Sequence, residues 1–464
     1  MENKFNKLTS KEWLPFQKSW SVVDSDETLY RDNLRFFTLP DKDPPSVYYL
    51  GPNAELFEQT AVELGLTCTS STYDPVQFAV FDIRKEIDDA VSVEELLSIS
   101  IRMSEIVAKI SNQLVDRRFV CIFAKNRNIA NSFVPIAWDL GKMLSRLLSL
   151  KDEKIICEKR SDSGPRGSSV SYALYARKDG QSPHVTEPDW NMADFQAPGC
   201  KERESIEIPS WFVLKPPRRR KGEVLHPAKY PESLAEMFIS AYSNVGDNIF
   251  DPMSGTGSTQ MAAIGLGRNG YGTELSPFFA QLAIDRLTEL SNPAQGGLFE
   301  TENNFGTFRI ENADARRISE LDFPSISYAC TSPPYWDMLN MKGAENQAKR
   351  IEQGLQTNYS DDQNDLGNVQ DYSKFLSELT DVYRDMFKIM EPGSHFTFVV
   401  KNIKKQGASY PFAWDLAHRL SPLAIPIAEH FWLQDDLSIA PYGYGNTWVS
   451  NTFHQYCITV QLKT

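Results

Sequence analysis

The sequence predicts an α/β protein made of two tandem doubly wound units with mostly parallel sheets, the first of them degenerate. Three observations carry this expectation. Strands alternate with helices through the second half, the pattern of a parallel sheet covered on both faces. Short segments of the first half recur in the second half in the same order. The chain has 464 residues, well beyond one ordinary domain of roughly 100–200 residues. The expected division is a first unit at 1–180, a linker at 181–199 rich in proline, aspartate and polar residues, and a second unit at 200–464.

The recurrence is visible in four islands. Ser19-Trp20 with Leu34–Pro40 matches Ser210-Trp211 with Leu225–Pro231, at an offset of 191. Val47–Pro52 matches the segment ending Asn248-Ile-Phe-Asp-Pro252, at 200. Phe123-Ala-Lys-Asn126 with Pro135-Ile-Ala-Trp-Asp-Leu140 matches Val399-Val-Lys-Asn402 with Pro411-Phe-Ala-Trp-Asp-Leu416, at 276. Val170–Tyr175 matches His454–Thr459, at 284. The offset only grows, so the second copy carries insertions along its length. Ordered self-similarity of this kind is the mark of a duplication.

The second copy reads element by element. Asn248–Phe250 is a short apolar strand leading into a glycine loop. Ser258–Gly267 spaces its apolar residues for one buried helical face. A strand at Gly270–Glu274, a helix at Pro277–Leu290, and strands at Phe308–Asn312 and Ser327–Cys330 follow. A helix over Asp371–Met390 meets Glu391-Pro392-Gly393, which reads as a stop signal. Beyond it come a strand at His395–Lys401, a helix at Pro411–Leu420, and closing strands near Ala424–Trp432 and His454–Leu462.

Composition excludes several function classes. Apolar residues make up 41 % and aromatics 12 %, enough for packed cores and against global disorder. No apolar run approaches the roughly 20 residues that span a bilayer, and Met1-Glu2-Asn3-Lys4 opens a polar stretch without an apolar signal core. A cytoplasmic protein is expected, neither membrane-bound nor secreted. The six cysteines include no CxxC pair and the six histidines no ligand spacing, so no metal site is expected. The net charge of −13 argues against polyanion binding over the whole surface but leaves room for a local basic groove.

Chemistry concentrates in two turns. The first is Phe250-Asp251-Pro252-Met253-Ser254-Gly255-Thr256-Gly257-Ser258-Thr259. Gly255 and Gly257 permit positive φ and close approach of a ligand to the backbone. The helix that follows offers free N–H groups to an anion such as a carboxylate. Glu274, ending the next strand, has the place of an acid that takes two hydrogen bonds from a ribose diol. The competing readings are a tight turn and a solvated strand-end acid. The segment lacks GxxxxGK[ST], which disfavours a phosphate-cradling loop. The second turn, Thr331-Ser332-Pro333-Pro334-Tyr335-Trp336, follows a strand at its carboxyl end, where open α/β sheets bind ligands. Its prolines remove two N–H donors. The Ser332 and Pro333 carbonyls remain as acceptors beside a hydroxyl and two aromatic faces. That suits a flat group bearing an NH2; the alternative is a rigid turn with core aromatics.

Together, Asp251-Pro-Met-Ser-Gly-Thr-Gly257 and Ser332-Pro-Pro-Tyr335 resemble the S-adenosylmethionine-dependent amino-methyltransferases of DNA, which act on N4 of cytosine or N6 of adenine. The resemblance covers most of residues 200–464. It implies two tandem Rossmann-like methyltransferase domains, with S-adenosylmethionine as cofactor and double-stranded DNA as substrate. Leu225-His226-Pro227-Ala-Lys-Tyr-Pro231 is similar to the family's cofactor-contacting segment. Asp314, in Asn312-Ala-Asp-Ala-Arg316, matches the acid that faces the adenine ring. Asp365-Leu-Gly-Asn368 and Pro441-Tyr-Gly-Tyr-Gly445 also look like family segments. The implied cofactor residues are His226, Pro227, Asp251, Pro252, Ser254, Gly255, Gly257, Ser258, Glu274 and Asp314. The implied catalytic residues are Ser332, Pro333, Pro334 and Tyr335. Serine before Pro-Pro favours the cytosine-N4 type, within restriction–modification or host defence with a cognate restriction endonuclease as a candidate partner. Two features depart from the pattern: the glycine loop precedes the Pro-Pro motif, and no long target-recognition domain is expected after the catalytic half.

The first copy has Gly51-Pro-Asn-Ala54 where the glycine loop would stand and Phe81-Asp82-Ile83-Arg84 in place of Ser-Pro-Pro-Tyr. It is expected to bind no cofactor and to pack on the second copy as a dimer partner would. Lys215–Lys221 is a basic cluster suited to phosphates, or a solvated linker. The insertion Asp337–Gln370 carries Lys342, Lys349, Arg350 and several Asn and Gln suited to base edges. Trp336 is expected to pack rather than to contact substrate. The rival functions are adenine-N6 methylation of DNA, methylation of an RNA base, and a nucleic-acid-binding pseudo-enzyme.

Overall fold

In the computed structural model the described residues are 5–39, 41–129, 132–158, 166–167, 169–180, 195, 208–215, 230–291, 306–338, 365–435 and 450–463. Two large sheets share one strand order. The first runs, from its edge, Thr67–Thr69, Ser46–Leu50, Val76–Asp82, Leu114–Ala124, Ser169–Arg177, Ser149–Glu158 and Trp20–Val23. The second runs Phe308–Asn312, Asn269–Glu274, Asn248–Asp251, Ile326–Thr331, Met390–Val400, His454–Leu462, Ala424–Leu433 and Trp211–Val213, with Arg166–Gly167 added beyond. In each sheet one long late strand, 169–177 or 454–462, lies antiparallel between its neighbours. The core strands at 46–82 and 248–331 pair in parallel. The second sheet has one more strand on the edge beyond Asn269–Glu274, at 308–312, without a counterpart in the first.

The helices begin where side chains can satisfy free N–H groups. Ser25 accepts from Thr28 N, Ser92 from Glu95 N, Ser276 from Phe279 N and Asp371 from Lys374 N; each such cap contributes ~1 kcal/mol. Helices Glu232–Tyr242 and Ser258–Gly265 pack on one face of the second sheet, burying Leu234, Phe238, Ala262 and Ala263 with Ile249 and Tyr328. Helices Tyr372–Phe387 and Phe412–Leu420 cover the other face. No helix among the described residues is long and apolar enough to cross a membrane. The described cysteines are all free and no metal-binding cluster occurs among the described residues.

One expectation is corrected. Glu391-Pro392-Gly393 does not separate a helix from a strand: the helix stops at Phe387 and the strand runs Met390–Val400 through the proline. The ladder steps from Ile326 opposite Met390 to Tyr328 opposite His395, so the extra residues form a bulge. Gly393, at φ 75°, supplies the left-handed backbone that such a bulge needs.

The copies meet across a pseudo-twofold interface. Trp138 and Trp414 stack at 6.4 Å with 16° between their planes. Asn126 donates to Glu429 at 2.7 Å, and Tyr172 donates to the same carboxylate at 2.7 Å. By the same twofold, Asn402 donates to Glu153 at 2.8 Å and Tyr456 donates to it at 2.9 Å. The two asparagines also cap equivalent helices, accepting from Ala137 N and Ala413 N at 2.9 Å each. These residues obey the sequence offsets of 276 and 284. The surface that one copy turns to the other is thus the same surface, as in an isologous dimer. Buried apolar residues of both copies form one continuous cluster. Phe195, the described residue of the linker region, is buried against Trp138.

Close packing here yields a prediction. A Cβ at Gly141 would lie 2.5 Å from the Trp414 ring. Gly141→Ala is expected to lower unfolding free energy by about 1–3 kcal/mol, measured by urea denaturation.

Candidate active site

The glycine loop and the Pro-Pro-Tyr turn leave adjacent parallel strands, with Ile249 opposite Tyr328 and Phe250 opposite Ala329. Asp251 ties them together. Its carboxylate accepts from Thr331 Oγ1 at 2.6 Å, Thr259 Oγ1 at 2.5 Å, Met253 N at 2.9 Å and Tyr230 Oη at 3.3 Å. Burial raises the Asp251 pKa, against the pull of these donors. Asp251 is therefore a bracket, turned into the protein, that holds one turn at a fixed place against the other. Ser254 is likewise turned inward: its Oγ donates to Asp251 O at 3.1 Å and accepts from Gln260 Nε2 at 2.8 Å. The Pro252 carbonyl accepts from Thr273 Oγ1 at 2.7 Å.

Gly255 and Gly257 sit at φ 52° and 78°, the region expected from the sequence. Gly257 is the residue before the helix Ser258–Gly265, and a Cβ there would also come 3.0 Å from that of Ala283. Among the described residues, Thr256 Oγ1 and Ser258 Oγ are buried without hydrogen-bond partners. Arg286, paired with Glu232 at 2.5 Å, donates to the Thr256 carbonyl and clamps the loop from the neighbouring helix.

Glu274 ends its strand beside the loop. It accepts from Gly255 N at 2.8 Å and from Ser276 N at 2.9 Å. Burial first, then the charges of Asp251 and Asp365, push its carboxyl up to about 7. Asp365, a family-like position in the sequence, thus contributes to the same field, while it accepts from Gly367 N at 2.8 Å. Asp314 caps the short helix Ala315–Glu320 and pairs with Arg316 at 2.8 Å. Burial opposes ionisation there, but Arg316 holds the carboxyl below its ordinary value. Arg316, itself bridged to Glu378 at 3.2 Å, was not singled out in the sequence, although it stands two residues after the acid.

In the second turn, Ser332 Oγ lies 3.1 Å from Tyr335 Oη, which donates to Gln455 Oε1 at 2.6 Å. Pro333 is buried and Pro334 is half-buried. Lys401 Nζ stands 5.3 Å from the Tyr335 ring centroid, and burial lowers its pKa. Trp336 turns away: at φ 52° it packs on Tyr372 and Tyr410, with Lys405 Nζ 3.8 Å from its ring. Thr259, Tyr230, Gln455 and Lys401 escaped the sequence reading because their roles depend on distant partners. His226 and Pro227 lie outside the described residues, as do Arg218–Lys221, most of the 337–370 insertion and Pro441–Gly445.

The first copy holds a different arrangement at its strand ends. Arg84 bridges Asp82 and Asp26 at 2.6 Å each. Tyr30 donates to Asp82 at 2.6 Å and lies 3.0 Å from Tyr49 Oη, while Asn53 donates to Asp26 at 2.8 Å. Side chains of the protein itself satisfy the acid that stands where Ser-Pro-Pro-Tyr would be. A Cβ on Gly51 would meet the Tyr49 hydroxyl at 2.5 Å.

Comparison with known proteins adds likenesses to this geometry. A family model described as DNA methylase matches residues 64–285, a span that takes in strands of the first copy and the glycine loop of the second and ends before Thr331. The type II methyltransferase M.MthZI of Methanothermobacter thermautotrophicus is 35 % identical over 121 residues, 25 % of this chain and 34 % of that protein. The orphan methyltransferase M.BamHII of Bacillus amyloliquefaciens is 45 % identical over 62 residues, covering 13 % and 23 %. The DNA adenine methyltransferase YhdJ of Escherichia coli K12 is 32 % identical over 98 residues, covering 21 % and 32 %. The matched regions thus span about a third or less of these relatives. The class to which the chain is similar is the S-adenosylmethionine-dependent DNA amino-methyltransferases.

The residues present suit that cofactor. Asp251, Glu274 and Asp365 make the loop region acidic, as a sulfonium and an ammonium group require. The orphaned hydroxyls of Thr256 and Ser258 supply unused polar capacity.

A pH dependence follows. Because the Glu274 pKa is raised in the fold, its proton contributes stability below the ordinary 4.5 that is lost as pH rises through about 7. The ionised carboxylate is the better acceptor for a diol and attracts a cationic donor. S-adenosylmethionine affinity is expected to rise roughly ten-fold from pH 6 to pH 8, and Glu274→Gln to flatten that rise in calorimetric titrations.

Proposed function

We propose that the chain transfers a methyl group from S-adenosylmethionine to the exocyclic N4 amine of cytosine in double-stranded DNA. The observation that carries this reading is the Asp251–Thr331 bond of 2.6 Å, which fixes the glycine loop against the Pro-Pro-Tyr turn. The second unit, 200–464, is the catalytic domain in this reading. The first, 1–180, is a degenerate copy in the place of a dimer partner, joined by the linker 181–199, and it helps to grip DNA.

When bound, the donor supplies an electrophilic methyl group on a sulfonium sulfur. The chain's own residues do the rest. A cytosine amine is conjugated with its ring and is a weak nucleophile. The Ser332 hydroxyl oxygen and the Pro333 carbonyl accept its hydrogens, which favours a pyramidal nitrogen with a free lone pair. The same acceptors stabilise the positive charge that grows on that nitrogen. Tyr335 stacks on the base, which must first leave the helix stack. Holding the amine in line with the methyl group supplies much of the rate. No strong general base is needed, because the methylated cation is acidic and sheds its proton to Ser332 or water.

Similarity to YhdJ, named as a DNA adenine methyltransferase, favours N6 of adenine as the second reading, with the same residue roles. A cognate restriction endonuclease is a candidate partner in this reading. Incubation with methyl-labelled donor and duplex DNA, RNA or no substrate, followed by nucleoside analysis, decides the matter. Label in N4-methylcytosine of DNA is expected. Label in N6-methyladenine selects the second reading, label in RNA another substrate, and no transfer a pseudo-enzyme.

A further inference from the structure

We propose that Gln455 is a positioning residue that sets the direction of hydrogen bonding at Ser332, an inference that rests on the methyltransferase reading above. Gln455 lies on the antiparallel strand His454–Leu462, which pairs with both Met390–Val400 and Ala424–Leu433. It is separated from Tyr335 by 120 residues of sequence, yet its Oε1 accepts the Tyr335 hydroxyl hydrogen at 2.6 Å. An amide oxygen can only accept. Tyr335 has one hydroxyl proton, and Gln455 takes it. Toward Ser332 Oγ, 3.1 Å away, the tyrosine oxygen can then only accept. The single Ser332 proton is drawn to Tyr335, and the serine oxygen turns its lone pairs outward. That is the state an amine donor requires. A donor at position 455 would reverse the chain and present Ser332 as a hydrogen-bond donor, which the amine's hydrogens would oppose.

The first copy supplies an internal comparison. By the offset of 284, Gln455 corresponds to Ser171. There the Pro-Pro-Tyr turn is absent, and Ser171 Oγ is buried with no hydrogen-bond partner among the described residues. A glutamine with a relay to support stands in the copy that keeps the turn. A short hydroxyl with nothing to hold stands in the copy that lost it. Gln455 itself is 9 % exposed, and burial raises the Tyr335 pKa, which keeps its hydroxyl protonated.

The test uses the full chain with Gln455→Leu, Gln455→Glu, Tyr335→Phe and the double variant Tyr335→Phe/Gln455→Leu. Donor affinity, thermal unfolding and kcat at saturating DNA are measured for each. Gln455→Leu is expected to lower kcat at least ten-fold, with donor affinity and melting temperature close to the parent. Gln455→Glu, still an acceptor, is expected to retain most of the activity at pH 8. In the Tyr335→Phe background, Gln455→Leu is expected to have no further effect, because the relay is already cut. Equal losses from Gln455→Leu in both backgrounds, or Gln455→Glu as poor as Gln455→Leu, would overturn the proposal. If the parent binds donor yet methylates no nucleic acid, the methyltransferase reading fails and takes this inference with it.

Discussion

Asp251→Ala is expected to remove about 3–5 kcal/mol of stability and to abolish binding of the methyl donor. Three hydroxyls and one backbone N–H converge on this carboxylate. Alanine strands them in a buried site, at roughly 1–3 kcal/mol for each group that finds no new partner. Relief of the cost of burying the charge offsets part of that loss. The effect on binding has a separate origin. Without the bracket, Thr331 no longer ties the end of its strand to the loop, and Met253 loses the bond that starts the turn. Asp251→Asn keeps the shape but replaces one acceptor oxygen by a donor group, so an intermediate loss is expected. Urea denaturation and calorimetric titration read the two effects independently.

Ser332→Ala is expected to lower kcat by about 10²–10³-fold while donor affinity changes less than about three-fold. Among the described residues the Ser332 hydroxyl bonds to Tyr335 and makes no hydrogen bond to the glycine loop. The alanine variant keeps the Pro333 carbonyl but loses the oxygen proposed to accept the second amine hydrogen. Because that interaction matters most as charge develops on nitrogen, kcat falls rather than KM alone. A Ser332→Ala enzyme with full kcat would exclude the hydroxyl from the reaction.

Much of this architecture is legible in the amino-acid order, because duplication and strand–helix alternation are local patterns. The offsets 276 and 284 identify the residues that later prove to face each other across the interface. Gly255 and Gly257 announce their positive φ, and the helix at Pro277–Leu290 falls where the strand–helix alternation puts it. Other features depend on pairs that no local window contains. Asn126 and Glu429 are 303 residues apart, and Gln455 reaches Tyr335 from another strand. Asp251 and Ser254 could be picked out as part of a cofactor loop, but only the fold reveals that their side chains face inward. The bulge at Pro392-Gly393 misled the reading because proline and glycine mark both a helix end and an irregular strand. The Asp82 cluster in the first copy is a similar case. The loss of Ser-Pro-Pro-Tyr is plain in the sequence, whereas the Arg84 bridge between Asp82 and Asp26 needs three elements brought together.

The central claim is that one methyl-donor site exists per chain, formed by the loop at 251–259 next to the turn at 332–335. Calorimetric titration of S-adenosylmethionine into the purified protein tests it most directly. The account predicts one donor bound per chain, with binding lost in Asp251→Ala and unchanged in Arg84→Ala. No uptake by the parent protein, or uptake of two donors with one site abolished by Arg84→Ala, would contradict it.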